Sequence, residues 1–257
     1  MQHNILENIR IVMIQTSHPG NIGSAARAMK VMGLSELYLV KPKSFPHEQA
    51  VAMSSNATDI LDNAHVVHSL QEAIADCQLV VGSSARHERT LKWDVQDSRS
   101  CGELVVQQAI KGKVAILFGR ESSGLSNEEL ALCQHLVHIP TNPDYSSLNV
   151  ASAVQIMGYE CRLASLNVAD NEANTKKDKN TDPDDPWVTA RESEGYFEHL
   201  EKAMVDIGFL DAKNPRYLMP RLRRLYSRSG ISKSELKLLR GMLAAIQKYA
   251  ASIKNKK

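Results

Sequence analysis

Four short stretches of this sequence concentrate residue types that can do chemistry. They are Ser17-His18-Pro19-Gly20-Asn21-Ile22-Gly23-Ser24, Gly82-Ser83-Ser84-Ala85-Arg86, Gly119-Arg120-Glu121-Ser122-Ser123-Gly124-Leu125 and Asp144-Tyr145-Ser146-Ser147-Leu148-Asn149. Small residues let a backbone approach a ligand, and its free N–H groups then read the ligand's edges. Each stretch alone is ambiguous. Gly82–Ala85 could be a turn into a helix, Gly119–Gly124 a loop with a left-handed glycine at each end, and Asn21–Ser24 an N-cap. Neither G-x-G-x-x-G nor G-x-x-x-x-G-K-[ST] occurs. Dinucleotide and P-loop readings therefore lack their phosphate-binding signature.

The elements that must position these stretches are legible. Apolar runs at Ile9–Ile14, Leu37–Val40, Leu79–Gly82, Val114–Gly119 and Leu136–Ile139 are rich in Val, Ile and Leu. Nearly unbroken runs of this kind predict strands buried on both faces. Helical patterns lie between them. Ser24–Met32 stops at Gly33, Ser69–Glu72 and Ser126–Glu129 have capping-box spacing, and Ala151–Leu163 is a long apolar helix. Strand and helix in alternation predict an α/β fold, a parallel sheet with helices on both sides. Ligands of such sheets bind beyond the carboxyl ends of the strands, which is where the four stretches fall.

From Asn167 to Asp185 the periodicity disappears into Asn, Asp, Lys and Thr. Such a segment cannot bury enough apolar surface to offset chain entropy and reads as a linker. After it, Glu194–Ile207, Pro215–Arg228 and Lys233–Ser252 predict three helices. Leu200, Met204 and Ile207, then Leu218, Leu222 and Leu225, then Leu236, Leu239, Leu243 and Ile246 form their apolar stripes. The expected organisation is thus an α/β domain over 1–166, a charged linker over 167–186 and a small all-α bundle over 187–257.

Charge is distributed unevenly. Residues 1–165 hold 13 Lys+Arg and 16 Asp+Glu, whereas residues 191–257 hold 15 and 7. A basic segment on a near-neutral body points to a polyanionic partner. No apolar run reaches the length of a membrane span, and the N-terminus lacks the apolar core of a secretory signal, so a cytosolic protein is expected. Cys77, Cys101, Cys133 and Cys161 are too widely spaced for a zinc site. They are expected to be buried free thiols, and no metal is expected.

In combination the stretches are far more specific. Asn21 and Arg27, then Phe118-Gly-Arg-Glu-x-x-Gly-Leu125, then Ser146-Ser-Leu-Asn149 ahead of an apolar helix resemble, in order, the three motifs of the SpoU branch of the SPOUT methyltransferases. The resemblance extends over the whole chain. It is closest to the bacterial branch that 2′-O-methylates cytidine or uridine at tRNA position 32, in the anticodon loop. It implies a C-terminal trefoil knot, S-adenosylmethionine as cofactor, and a homodimer in which one subunit's catalytic residues face the other's cofactor. Ser83, Ser84, Ala85, Gly119, Ile139, Ser146, Ser147 and Leu148 match the positions that hold the cofactor. Arg27 matches the family's catalytic arginine. Asn21, Glu121, Ser147 and Asn149 complete the catalytic set.

The chemistry agrees with these roles. A sulfonium methyl is already activated, so the enzyme must hold a ribose oxygen in line and stabilise its developing charge. A guanidinium stays protonated, so Arg27 is expected to clamp phosphate and oxyanion, with Glu121 positioning Arg27 or a loop N–H. Arg86 is a candidate substrate contact. Arg221, Arg224 and Arg228 share one helical face and form a candidate RNA-binding stripe, while Tyr217 and Tyr226 could stack on bases but suit core packing better. Two rival readings are a ribosomal RNA 2′-O-methyltransferase and a non-catalytic RNA-binding factor on the same scaffold.

Overall fold

The computed structural model describes residues 5–84, 95–172, 185–211, 217–227 and 230–254. The chain forms two compact units, residues 1–177 and 178–257. In the first, a short 3-10 turn leads into β1 (Ile9–Ile14), α1 (Pro19–Met32), β2 (Glu36–Val40), α2 (Glu48–Ser54), α3 (Thr58–Asp62), β3 (His65–Val67), α4 (Leu70–Ile74) and β4 (Leu79–Ser83). Then come β5 (Val95–Asp97), α5 (Ser98–Ala109), β6 (Val114–Phe118), α6 (Asn127–Leu130), β7 (His135–His138) and α7 (Val150–Glu172). The seven strands form one parallel sheet in the order β3-β2-β1-β6-β4-β7-β5.

All five apolar runs lie in strands. β1 and β6 sit at the centre with every residue buried, Ile9 opposite Val114 and Met13 opposite Phe118. Each such Ile, Leu or Val contributes about 1.5–3 kcal/mol by leaving water. The edge strand β5 escaped the sequence reading because Val95–Asp97 is short and largely exposed, without an apolar pattern. Two helices run further than expected. α1 begins at Pro19, because proline suits the first helical position. α7 continues to Glu172, into the segment read as linker.

Close packing explains two glycines that looked like ligand-loop residues. A Cβ on Gly23 would lie 2.0 Å from the Ala50 carbonyl oxygen, so α1 and α2 touch backbone to backbone. A Cβ on Gly82 would lie 2.9 Å from Cys133 Sγ and 3.0 Å from Leu125. All four cysteines are buried free thiols, and burial pushes Cys77 and Cys101 up to about 12. No described helix is long and apolar enough to cross a membrane.

The second unit contains α8 (Ala190–Asp206), α9 (Leu218–Ser227) and α10 (Lys233–Lys254). Thr189 and Glu192 close a capping box at the start of α8. Tyr196, Phe197, Leu200, Met204, Met219, Leu236 and Leu243 form the core. The stripe on α9 differs from the expected one. Leu225 is 53% exposed, and Tyr226 turns inward, edge-on to Tyr196 at 5.4 Å and Phe197 at 6.2 Å. Spacing of four from Leu218 through Leu222 reaches Tyr226, and the larger ring fills the aromatic core. Ile207 and Ile246 are likewise exposed, at 48% and 40%.

The amino-terminal edge of the sheet carries a buried charge. Arg10, 2% exposed, donates to Asp76 at 2.8 and 3.2 Å and to the Ala73 carbonyl, and lies 3.9 Å from the Tyr38 ring centroid. Lys113 reaches the same carboxylate at 3.0 Å. Burial alone would raise the Asp76 pKa, but hydrogen bonds from Arg10 and Lys113 outweigh it and hold the group at about 2. Removing one partner of a buried ion pair leaves the other desolvated and unpaired. Asp76 is itself half-exposed, so solvent screens part of the loss, and Asp76→Ala is expected to lower unfolding free energy by about 1–2 kcal/mol near neutral pH, read from urea melts. Because the folded-state pKa is depressed, the native contribution is full above pH 4 or so and fades as pH falls towards about 2. The difference between variant and wild type should shrink over that window.

Candidate active site

Four adjacent strands of the sheet, β1, β6, β4 and β7, send their carboxyl ends to one edge. The segments that follow them line a single cavity of about 620 Å³. It contains Ser83 and Ser84 after β4, Gly119 to Gly124 after β6, and Ile139 and Ser146 to Asn149 after β7, together with His18 and Asn21 at the start of α1. The structure thus brings together Asn21, Ser83, Ser84, Gly119, Glu121, Ile139, Ser146, Ser147, Leu148 and Asn149. Ala85, Arg86 and Arg228 lie outside the described residues.

Glu121 ties the β6–α6 loop to the N-terminus of α1. Its carboxylate accepts from the Ser17 N–H at 3.2 Å, Ser17 Oγ at 3.0 Å, the His18 N–H at 3.4 Å and Asn21 Nδ2 at 3.1 Å. The first N–H groups of a helix have no partner within it, and His18, the N-cap, offers no side-chain bond. The distant carboxylate takes that place, where the helix dipole also favours a negative charge. Burial would raise the Glu121 pKa, but its own N–H, Asn21 and Ser17 hold it at about 2. Glu121 does not touch Arg27, so of its two expected roles the structure contains only the contact with loop N–H groups.

Asn21 extends the network. Its Oδ1 accepts from Asn149 Nδ2 at 3.0 Å, and Asn149 Oδ1 accepts from the Ala151 N–H at 2.8 Å. One chain of polar bonds therefore runs from the β6–α6 loop through the first turn of α1 to the start of α7. Asn21 is in the helix, at its third residue, and is not the N-cap that its sequence context suggested.

A second cluster, missed in the sequence, shapes the same loop. Arg120 pairs with Glu129 through two bonds of 3.0 Å and donates from Nε to Gln15 at 2.8 Å. Glu129 also accepts from the Ser126 N–H at 2.7 Å, closing the capping box of α6. Gly124, with φ +68°, is the left-handed residue of the loop, and Gly119 is not. A Cβ on Gly119 would instead meet the Gly124 carbonyl carbon at 2.2 Å, so the loop folds back against it. The spacing of Arg120 and Glu129 was visible, but nothing in it showed that they meet.

Arg27 is exposed on α1 and lines neither this cavity nor the neighbouring groove of about 690 Å³. That groove is formed by α1, α2 and α7 and shares His18, Asn21 and Asn149 with the cavity. Asp144 and Tyr145 form a turn closed by Asn142 and stay outside the cavity. On α9, Arg221 is exposed and Arg224 half-buried.

The profile of the SpoU rRNA Methylase family matches residues 8–159. The chain belongs to the SpoU methylase family. Beyond that domain, residues 191–256 match the C-terminal domain of tRNA methyltransferase TrmJ. The chain is 51% identical over 255 residues to the tRNA (cytidine/uridine/adenosine-2′-O-)-methyltransferase TrmJ of Pseudomonas aeruginosa, covering 98% of this chain and 99% of that one. It is 48% identical to the tRNA (cytidine/uridine-2′-O-)-methyltransferase TrmJ of Photorhabdus laumondii, covering 96% and 99%. The crystal structure of TrmJ from Z. mobilis superposes with a TM-score of 0.76 at 29% identity, covering 93% of this chain and 98% of that one.

In a SpoU methylase, the Glu121–Asn21–Asn149 chain of bonds sets how three loops face one another. A displacement of about 1 Å at a reacting centre can slow a reaction by about 100-fold. Asn21→Ala should therefore reduce methyl-transfer turnover by roughly that factor, with little change in the thermal midpoint, as steady-state assays and calorimetry would record.

Proposed function

We propose that this chain transfers a methyl group from S-adenosylmethionine to the ribose 2′-hydroxyl of cytidine or uridine at position 32 of the tRNA anticodon loop. The observation that carries the reading is the meeting of Asn21, Gly119, Glu121 and Ser146 to Asn149 in one cavity. The near full-length identity to curated tRNA 2′-O-methyltransferases supports the same reading. The basic C-terminal unit, matched over its helices to a tRNA methyltransferase domain, favours tRNA over ribosomal RNA.

The cavity suits the donor. Its volume lies in the range of small-molecule clefts. Val137, Ile139 and Leu148 offer apolar surface, and Ser83, Ser84 and Ser146 offer hydroxyls, for a ligand that is part aromatic and part polar. Gly119 keeps the wall free of a side chain. Bound there, S-adenosylmethionine supplies a methyl on a sulfonium. The chain's own residues orient the substrate oxygen and balance its charge.

The enzyme works as a homodimer in the cytoplasm. Arg120, the arginine that lines the cavity, is committed to Glu129. Arg27 projects from α1 outside its own subunit's cavity, which favours its service at the partner's site. Ser147 and Asn149 sit where the methyl is delivered, and Glu121 and Asn21 position the loops around it. The strand order, with β6 between β1 and β4 and β7 beyond β4, supports the trefoil knot. The stripe of Arg221, Arg224 and Arg228 in the second unit follows the phosphate backbone, and Arg86 in the first unit is a separate candidate substrate contact.

Mass mapping of ribose methylation in tRNA from cells with and without the protein tests the activity, and an unchanged position 32 would end the proposal. Arg27→Ala should keep donor affinity within about twofold and lose at least 100-fold in turnover, the scale of one charge-stabilising group. Removing residues 187–257 should spare donor binding and weaken tRNA binding, which filter binding at fixed salt would measure.

A further inference from the structure

We propose that His18 is the proton acceptor for the ribose hydroxyl, an inference that rests on the reading above. The methyl donor carries its own activation, but the 2′-hydroxyl must lose a proton as its oxygen attacks. A guanidinium cannot accept one. Among the described residues, the titratable groups that line the cavity are His18, Arg120, Glu121 and His138. Arg120 is bound to Glu129. Glu121 is held at about 2 and already accepts from Ser17, His18 and Asn21, so it is a weak base at neutral pH. His138 is half-buried, with Nδ1 3.2 Å from the Ser84 carbonyl oxygen.

His18 is placed differently. With Asn21 and Asn149 it lines both the cavity and the adjoining groove, so it stands where the two open into each other. Its backbone is fixed by the Glu121 carboxylate, while its imidazole is exposed and makes no capping bond. An imidazole has the basicity that suits proton removal near neutral pH. Other charged or titratable groups on elements around it are Arg27 and Lys30 on its own helix, Lys30 being bonded to Asp59, and His47 and Glu48 at the start of α2. The stretch of α7 that lines the groove, residues 151–156, has none. In the proposed step the 2′ O–H bond breaks and its proton passes to an imidazole nitrogen, giving imidazolium. The oxygen bonds to the methyl carbon, and the electron pair of the broken S–C bond stays on the donor's sulfur, which becomes a neutral thioether.

The full-length protein is assayed on tRNA as wild type, His18→Gln, His18→Asn and His138→Gln. Wild-type kcat is expected to rise with pH along one limb, as general-base catalysis requires. His18→Gln and His18→Asn should lose that limb and at least 100-fold in kcat, within the span of general-base catalysis. Donor and tRNA dissociation constants, measured separately by calorimetry and filter binding, should move less than threefold. A second readout needs no donor. The His18 imidazole resonances should shift when tRNA binds, and not when the target nucleotide is 2′-deoxy. Turnover of both His18 variants within threefold of wild type, or transfer of these effects to His138→Gln, would overturn the assignment. Absence of ribose methylation by the wild type would instead overturn the functional reading itself.

Discussion

The geometry of the site depends on a carboxylate held at a helix N-terminus. Glu121 comes from a loop about a hundred residues after α1, yet it accepts from the N–H of Ser17, just ahead of the helix, and from that of His18, its N-cap. The pairing is possible because β1 and β6 are direct neighbours in the sheet, so their carboxyl ends emerge side by side. Asn21 then passes the constraint to Asn149 and the start of α7. Glu121 is partly exposed, so solvent screens its charge. What fixes it is the number of donors converging on it more than burial.

The two edges of the sheet divide the work. At the amino-terminal edge, Arg10, Lys113 and Tyr38 gather around the half-exposed Asp76, and the polar groups are largely spent on one another. At the carboxyl edge the polar groups of four loops face a cavity and stay partly available to a ligand. Arg120 and Glu129 belong in between. They face inward and bond to each other, and in doing so set the shape of the loop that carries Glu121.

The C-terminal unit shows why net charge overstates what a partner can use. Arg223 is not on offer to RNA. It pairs with Glu194 through two bonds of 2.6 Å and lies 4.7 Å from the Phe197 ring centroid. Arg221 remains exposed on the same helix. A few residues of α9 therefore hold both an internal clamp for the aromatic core and an outward cation.

Local rules determined much of this protein. Short Val, Ile and Leu runs alternating with helical patterns mark strands of a parallel sheet, wholly buried in β1 and β6, and the Ser126–Glu129 capping box closes as its spacing requires. The small polar stretches after the strands could be placed at the ligand edge of a parallel sheet without knowing which strands are neighbours. Tertiary structure decided what is non-local. Strand order made Glu121 a partner of Ser17 and Asn21, and put Arg120 within reach of Gln15. Gly23 looked like a ligand-loop glycine and proved to be a helix contact, because the approach of α2 is invisible along the chain. Leu225 was expected in the core and lies at the surface for a similar reason, while Tyr226 takes the inward place that suits its ring. Spacing alone allows either residue inward, and only the shape of the aromatic core selects the ring.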